Sequence, residues 1–294
     1  MALLLEGVIL KCVGGFYYVE AADTIFECRA RGIFRKSKIT PVVGDIARIS
    51  VLNENTGWLE EIGERRNIMV RPAVANLDIL VIVVSITEPE PNTLVIDKMI
   101  AIAEKNRIEP IIVITKSDLQ DTKRLEEIYN NSGFEVFSVS DKTGEGIDLL
   151  RKRLTGQLSA FCGNSGVGKS SLLNALDLSQ ISQTGEISKK LGRGRHTTRT
   201  TEIFKLSFGG RIVDTPGFSS LDLERTIRIY KDELAFCFRE FGDYIEKCRF
   251  TSCSHTKEKG CAVLDAVDNG DIMKERHDNY KAIYEEIKNL KEWQ

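Results

Sequence analysis

The sequence predicts a multidomain α/β protein. An N-terminal β-barrel comes first, then a doubly wound α/β domain around a phosphate-binding loop, then a zinc-binding helical segment. Three observations predict it. Short alternating apolar runs separated by glycine turns fill residues 1–70. Continuous apolar runs alternating with helix-spaced segments fill 71–222. Two helical stretches, Glu224–Phe241 and Asp271–Trp293, flank three cysteines and a histidine in 223–294. These three ranges are the expected domains.

The first range holds the runs Gly7–Leu10, Phe16–Val19, Thr24–Phe26, Asp45–Ile49 and Gly57–Leu59, with Gly14-Gly15 as the clearest hairpin signal. About five strands in this length fit a small barrel such as an OB-fold. Another small β-barrel fits nearly as well. In the second range, Ile79–Val84 and Ile111–Ile114 are uninterrupted apolar runs, as expected of parallel strands covered on both faces. Helices are expected over Leu94–Asn106, 123–130 and Ser170–Leu176. Further strands are expected over Glu135–Val139 and Leu158–Cys162. A hairpin, Ile203–Phe208 with Arg211–Asp214, turns across Gly209-Gly210. Strands alternating with helices predict the doubly wound arrangement.

Composition narrows the class. In 294 residues there is room for two or three domains, and 42% hydrophobic with 29% charged residues is an ordinary globular mixture. No apolar run approaches the roughly 20 residues that span a bilayer. The start, Met1–Glu6, is too short for a signal-peptide core and lacks a basic flank. A cytoplasmic protein with no membrane role is expected. The net charge of −2 excludes a uniformly basic nucleic-acid binder. RNA contact must come from local patches, and Arg29, Arg31, Arg35, Lys36 and Lys38 form one in the barrel segment. Taken alone, such a run also reads as solvated surface.

Gly163-Asn164-Ser165-Gly166-Val167-Gly168-Lys169-Ser170 matches G-x-x-x-x-G-K-[ST] in full, between a predicted strand and a predicted helix. Its glycines let backbone N–H groups turn toward phosphate oxygens, and the helix N-terminus adds positive potential. Lys169 can reach the β- and γ-phosphates, and the Ser170 hydroxyl can ligate Mg²⁺. Ser171 joins these residues as a nucleotide-binding candidate.

The loop alone does not separate ATP from GTP. Thr115-Lys116-Ser117-Asp118 ends a predicted strand and resembles the guanine-reading N/T-K-x-D motif. The Asp118 carboxylate can accept from guanine N1–H and N2–H₂, donors that adenine lacks. The Lys116 stem can cover the base. Thr115 replaces the commoner asparagine, and its hydroxyl can still tie the loop. Ser138-Val139-Ser140 follows the next strand where GTPases place S-A-K, so that a backbone N–H would meet guanine O6. Asp214-Thr215-Pro216-Gly217 resembles D-x-x-G, in which Asp214 holds Mg²⁺ through water and the Gly217 N–H meets the γ-phosphate. Each short motif could be an ordinary turn; their order is more informative. Here the guanine motifs precede the phosphate loop, the reverse of the common arrangement, as in a circularly permuted domain rejoined through Asp141–Gln157.

Gly192–Arg199 is basic and threonine-bearing, as a switch should be. Thr197 or Thr198 would ligate Mg²⁺, with Thr198 favoured. The position after D-x-x-G, where many GTPases carry a water-orienting glutamine, is Phe218. His196 is the in-chain candidate to position water, with a group from a partner as the rival. Slow hydrolysis alone, accelerated on a partner, is expected.

Cys248, Cys253, His255 and Cys261 offer three thiolates and an imidazole, a set suited to one structural Zn²⁺ per chain. Cys12, Cys28, Cys162 and Cys237 are expected as core thiols. His277 is expected on a helix surface.

On these motifs, their order, His196-Thr197-Thr198, Asp214–Phe218, the Cys-Cys-His-Cys cluster, Cys28–Arg35 and Val43-Gly44-Asp45, the chain resembles the ribosome small-subunit-dependent GTPase A family over nearly its whole length. The resemblance implies an OB-fold, a permuted GTPase using Mg²⁺ with GTP, and a zinc-binding helical domain. It implies binding to the small ribosomal subunit and its rRNA near the decoding region during late maturation, with hydrolysis to GDP accompanying release. The protein is expected to be monomeric. Thr115 is the main departure and bears on guanine affinity. The alternative is a nucleotide-dependent RNA- or protein-binding assembly switch with negligible turnover, and an ATPase using the same loop is a third reading.

Overall fold

A computed structural model describes residues 3–31, 34, 39–70, 72–177, 201–214 and 228–290. Its strands are β1 (Leu4–Val13), β2 (Phe16–Ala21), β3 (Thr24–Ala30), β4 (Ile46–Asn53), β5 (Thr56–Ile62), β6 (Ile68–Met69), β7 (Val74–Ala75), β8 (Ile79–Ser85), β9 (Glu109–Thr115), β10 (Glu135–Val139), β11 (Leu158–Cys162), β12 (Glu202–Lys205) and β13 (Arg211–Asp214). Its helices are α1 (Thr93–Lys105), α2 (Lys123–Asn131), α3 (Ile147–Leu154), α4 (Lys169–Leu176), α5 (Lys231–Leu234), α6 (Gly242–Ile245), α7 (Ala262–Asn269) and α8 (Lys274–Ile287). The chain forms two compact units. One comprises Met1–Ile79, Leu154–Ala160 and Asp177–Phe218; the other comprises Leu80–Arg153, Phe161–Leu176 and Ser219–Gln294.

In the first unit, β1–β5 close a barrel in the order β1-β2-β3-β5-β4-β1, with β3–β5 parallel and the other pairs antiparallel. This is the five-strand Greek-key closure of an OB-fold. Gly14 and Gly15 turn β1 into β2 at φ +60° and +84°, the left-handed pair that a two-residue hairpin of the right twist demands. The next hairpin turns on Ala22 and Asp23, also at positive φ, with no glycine to announce it. Ile9, Val19, Phe26, Ile49 and Leu59 fill the barrel. The buried Asp45 accepts the Val42 N–H at 2.8 Å and the Arg65 guanidinium at 2.7 and 2.8 Å. The sheet continues from β1 to β12, β13 and the start of β11. The β12 run was expected to reach Phe208 but stops at Lys205, because Leu206–Gly210 closes its own turn by bonds between Leu206 and both glycines.

In the second unit the sheet runs β10-β9-β8, followed by the end of β11. Its central strands are covered on both faces: every residue of β8 is buried, as are Ile111–Ile114. The join Asp141–Gln157 contains α3. Arg151 on that helix donates to the Leu176 carbonyl at 2.9 Å and to the Ala175 carbonyl, satisfying the end of α4. The expected helix Glu224–Phe241 is, among the described residues, α5 and two 3₁₀ turns, Ala235–Cys237 and Arg239–Phe241. Phe238 between them is extended and fully buried against Tyr280, which a continuous helix would not allow. The α7 helix, unread in the sequence, ends on Gly270 at φ +83°. No helix among the described residues is long and apolar enough to cross a membrane.

Candidate nucleotide and metal sites

The phosphate loop joins the end of β11 to the start of α4. Gly163 sits at φ +145°, and a Cβ there would lie 2.2 Å from the Val83 carbonyl oxygen, so a side chain would force this backbone approach apart. Lys169 donates through Nζ to the carbonyls of Gly163 at 2.5 Å and Asn164 at 2.9 Å. Burial lowers its pKa from the ordinary lysine value.

The guanine-type motif meets this loop. The Thr115 hydroxyl lies 2.6 Å from the Val167 carbonyl and 3.1 Å from the Val84 carbonyl; its single proton goes to one at a time, Val167 being the nearer. Lys116, at φ +61°, extends Nζ to the Glu88 carbonyl at 2.5 Å and to within 3.5 Å of the Gly166 carbonyl. Parallel register sets Thr115 beside Val139, and the Ser117 N–H donates to the Val139 carbonyl at 3.2 Å. Thr115, Lys116, Asp118, Val139, Gly168 and Ser171 thus line one cavity of about 410 Å³, a volume suited to a small ligand.

Ser140, the last residue of the S-A-K-like stretch, has a side-chain role that the motif did not assign. Fully buried, it accepts the Lys142 and Thr143 N–H groups at 3.2 Å each and donates its hydroxyl to Asp118. That hydrogen bond holds the Asp118 carboxyl below its ordinary 3.8, so the group is an acceptor-only carboxylate at neutral pH. The only signal was its place after a strand end. Thr87, Glu88, Asp141 and Lys142 also line the cavity and carry no motif.

Asp214 ends β13 in the first unit, opposite Glu202 of β12. His196, Thr197, Thr198, Gly217, Phe218, Arg35, Lys36 and Lys38 lie outside the described residues.

Cys248, Cys253, His255 and Cys261 bring their ligand atoms within 4.8 Å of one another. The Cys248 and Cys261 sulfurs are 3.8 Å apart, and each lies 3.5 Å from His255 Nδ1. A tetrahedral ion with Zn–S near 2.3 Å and Zn–N near 2.0 Å has ligand separations of about 3.8 Å for S–S and about 3.5 Å for S–N. The donor set fits zinc, with Nδ1 as the imidazole ligand. His277, expected on a surface, is instead buried. Its Nε2 donates to the His255 carbonyl at 2.8 Å, while the Tyr280 hydroxyl donates to the Ser254 carbonyl at 2.9 Å. Both come from α8, which therefore braces the metal loop. Of the other thiols, Cys28, Cys162 and Cys237 are buried and Cys12 half-buried; burial pushes the last three of this set, Cys162, Cys237 and Cys12, up to about 12, so they stay protonated.

A family model described as RsgA GTPase matches residues 62–224, and one described as RsgA N-terminal domain matches 6–59. The chain belongs to the RsgA GTPase family. A model described as 50S ribosome-binding GTPase also matches 159–291. The small ribosomal subunit biogenesis GTPase RsgA of Caldanaerobacter subterraneus subsp. tengcongensis is 46% identical over 287 residues, covering 97% of this chain and 96% of that protein. Its counterpart from Geobacillus kaustophilus is 44% identical over 292 residues. Among solved structures, YjeQ from Thermotoga maritima superposes with a TM-score of 0.85 at 36% identity, covering 98% of this chain and 100% of that one. YloQ, described as a circularly permuted GTPase, gives 0.80 at 35% identity, covering 97% and 95%. The description of YloQ as permuted agrees with the motif order of this chain; membership of a GTPase family implies Mg²⁺ with GTP, and the cysteine–histidine cluster could hold one zinc.

Proposed function

We propose that this chain binds GTP in the 410 Å³ cavity, hydrolyses it to GDP and phosphate, and acts on the small ribosomal subunit late in its maturation, in the cytoplasm. The observation that carries the reading is the Thr115 hydroxyl on the Val167 carbonyl, which makes one site of two motifs that are inverted along the chain. Asp118, oriented by Ser140, reads the guanine edge, Lys116 covers the base, and Ser117 and the Val139 backbone complete its surroundings. The Gly163–Ser170 backbone with Lys169 holds the phosphates, and Gly217 follows from its motif. Mg²⁺, when bound, offsets the charge on the phosphates; Ser170, Asp214 and Thr198 are the residues whose motif positions suit it. His196 or a group from the subunit positions water, since Phe218 cannot. The RNA-facing surface is the barrel sheet, where the Arg29 guanidinium sits 4.7 Å over the Phe16 ring and Arg31 is exposed. The 50S description belongs to a model covering the phosphate-loop half of the chain, whereas the small-subunit names come from relatives matching nearly all of it. The chain acts as a monomer.

Phosphate release measured with and without purified small subunits tests this reading. Marked stimulation is expected. No stimulation, with retained GTP-dependent co-sedimentation, would favour the alternative suggested by Phe218: an assembly switch with negligible turnover.

A further inference from the structure

Five strands of the first unit each place one side chain in a single row. Glu27 stands opposite Tyr18, Tyr18 opposite Lys11, Lys11 opposite Glu202, and Glu202 opposite Asp214. Residues directly opposed in neighbouring strands share a face, with Cβ atoms about 5 Å apart. Within the row, the Tyr18 hydroxyl donates to Glu27 at 3.0 Å, and Lys11 Nζ meets Glu202 Oε2 at 3.1 Å. Glu202 is therefore flanked by an ammonium on one side and a second carboxylate, Asp214, on the other. Like charges directly opposed are unfavourable unless a cation offsets them. The basic residues of the β12–β13 hairpin do not serve Glu202: Lys205 and Arg211 are drawn to Glu20, at 2.6 and 2.7 Å. Lys11 supplies the offset, and it comes from the barrel.

We propose that Glu202 is a positioning residue for Asp214, and that the Lys11–Glu202 pair sets how strongly the Asp214 end of β13 attracts Mg²⁺. This deepens the proposed function and rests on its reading of Asp214 as a Mg²⁺-binding group. The electrostatic sign is fixed. Removing the Lys11 charge leaves Glu202 uncompensated beside Asp214 and strengthens cation binding there. Removing the Glu202 charge while Lys11 remains weakens it. Removing both restores the original balance.

The test titrates Mg²⁺ against a fluorescent, non-hydrolysable GTP analogue on the full chain at low salt, reading the Mg²⁺ concentration at half-maximal binding. Lys11→Met should lower that concentration and Glu202→Gln raise it, each about threefold for partly exposed charges at this spacing. The double variant and Lys11→Arg should return it to the starting value. The shifts should collapse in 1 M salt, where the screening length is about 3 Å. Shifts in the same direction, no shift, or a double variant that keeps the shift of either single variant would overturn the proposal. Asp214→Asn separates the layers. If it leaves the Mg²⁺ requirement unchanged, the reading of Asp214 fails; if it raises the requirement while Lys11→Met and Glu202→Gln do nothing, only the pair fails.

Discussion

Thr115 shows how much one hydroxyl can organise. Buried at the end of β9, it replaces the longer asparagine of related motifs and still reaches the phosphate loop at 2.6 Å. Removing one partner of a buried hydrogen bond costs about 1–3 kcal/mol. Thr115→Val keeps the shape and removes the donor, so GTP and GDP affinity should both fall about tenfold, the equivalent of 1.4 kcal/mol. Thr115→Ser should retain most of the affinity. Nucleotide titration of both variants decides it, and equal affinities would mean that the hydroxyl does not hold the loop. The candidates Thr115, Lys116, Asp118 and Lys169 were legible from motif chemistry. Ser140 was not, because a serine after a strand end is common. Only the fold aims its hydroxyl at Asp118.

At the scale of elements, strands with continuous apolar runs were readable, and the C-terminal helices less so. The α8 helix explains why. It buries His277, Tyr280 and Ile283, yet it also carries the charged Arg276 on its buried side, so its apolar stripe is obscured. The metal loop depends on this helix through His277 and Tyr280. Partners that orient a ligand typically contribute 10–100-fold to metal affinity. His277→Ala should therefore release zinc to a chromogenic chelator at about tenfold lower chelator concentration. Removing the metal altogether should raise amide exchange across 248–287 while the barrel residues Ile9 to Leu59 keep their protection. Uniform exchange across both regions would contradict a structural role confined to this element.

At the scale of the molecule, segments far apart in the chain meet at Arg276. This fully buried guanidinium reaches Asp97 at 2.6 Å and Glu240 at 2.7 Å, and stacks 4.5 Å over Phe238. The Tyr129 hydroxyl and Asn279 complete Asp97 at 3.0 and 2.7 Å. Burial alone would lower the Arg276 pKa; Asp97 and Glu240 outweigh it and push it up, so the cation is fixed. Deleting one member of such a network strands charge in the interior. Arg276→Met should cost about 3–5 kcal/mol in chemical denaturation. Converting Asp97 to Asn and Glu240 to Gln in the same chain should recover most of it. A small loss in the single variant would show that water reaches the site.

Local chemistry was enough for some features of this protein. Glycine pairs, uninterrupted apolar runs, the phosphate-loop spacing and the cysteine–histidine cluster each carry their physical meaning within a few neighbouring residues. From them the barrel, the permuted order and the metal set could be read. Tertiary structure alone decided the rest: that Thr115 closes on Val167, that His277 braces a ligand loop, and that Glu202 lies between Lys11 and Asp214. The hydrogen-bonded or ion-paired partners among these are separated by 22 to 191 positions, and strand register or helix packing places them. No local pattern encodes such pairings, because each partner is an ordinary residue until the fold supplies its neighbour.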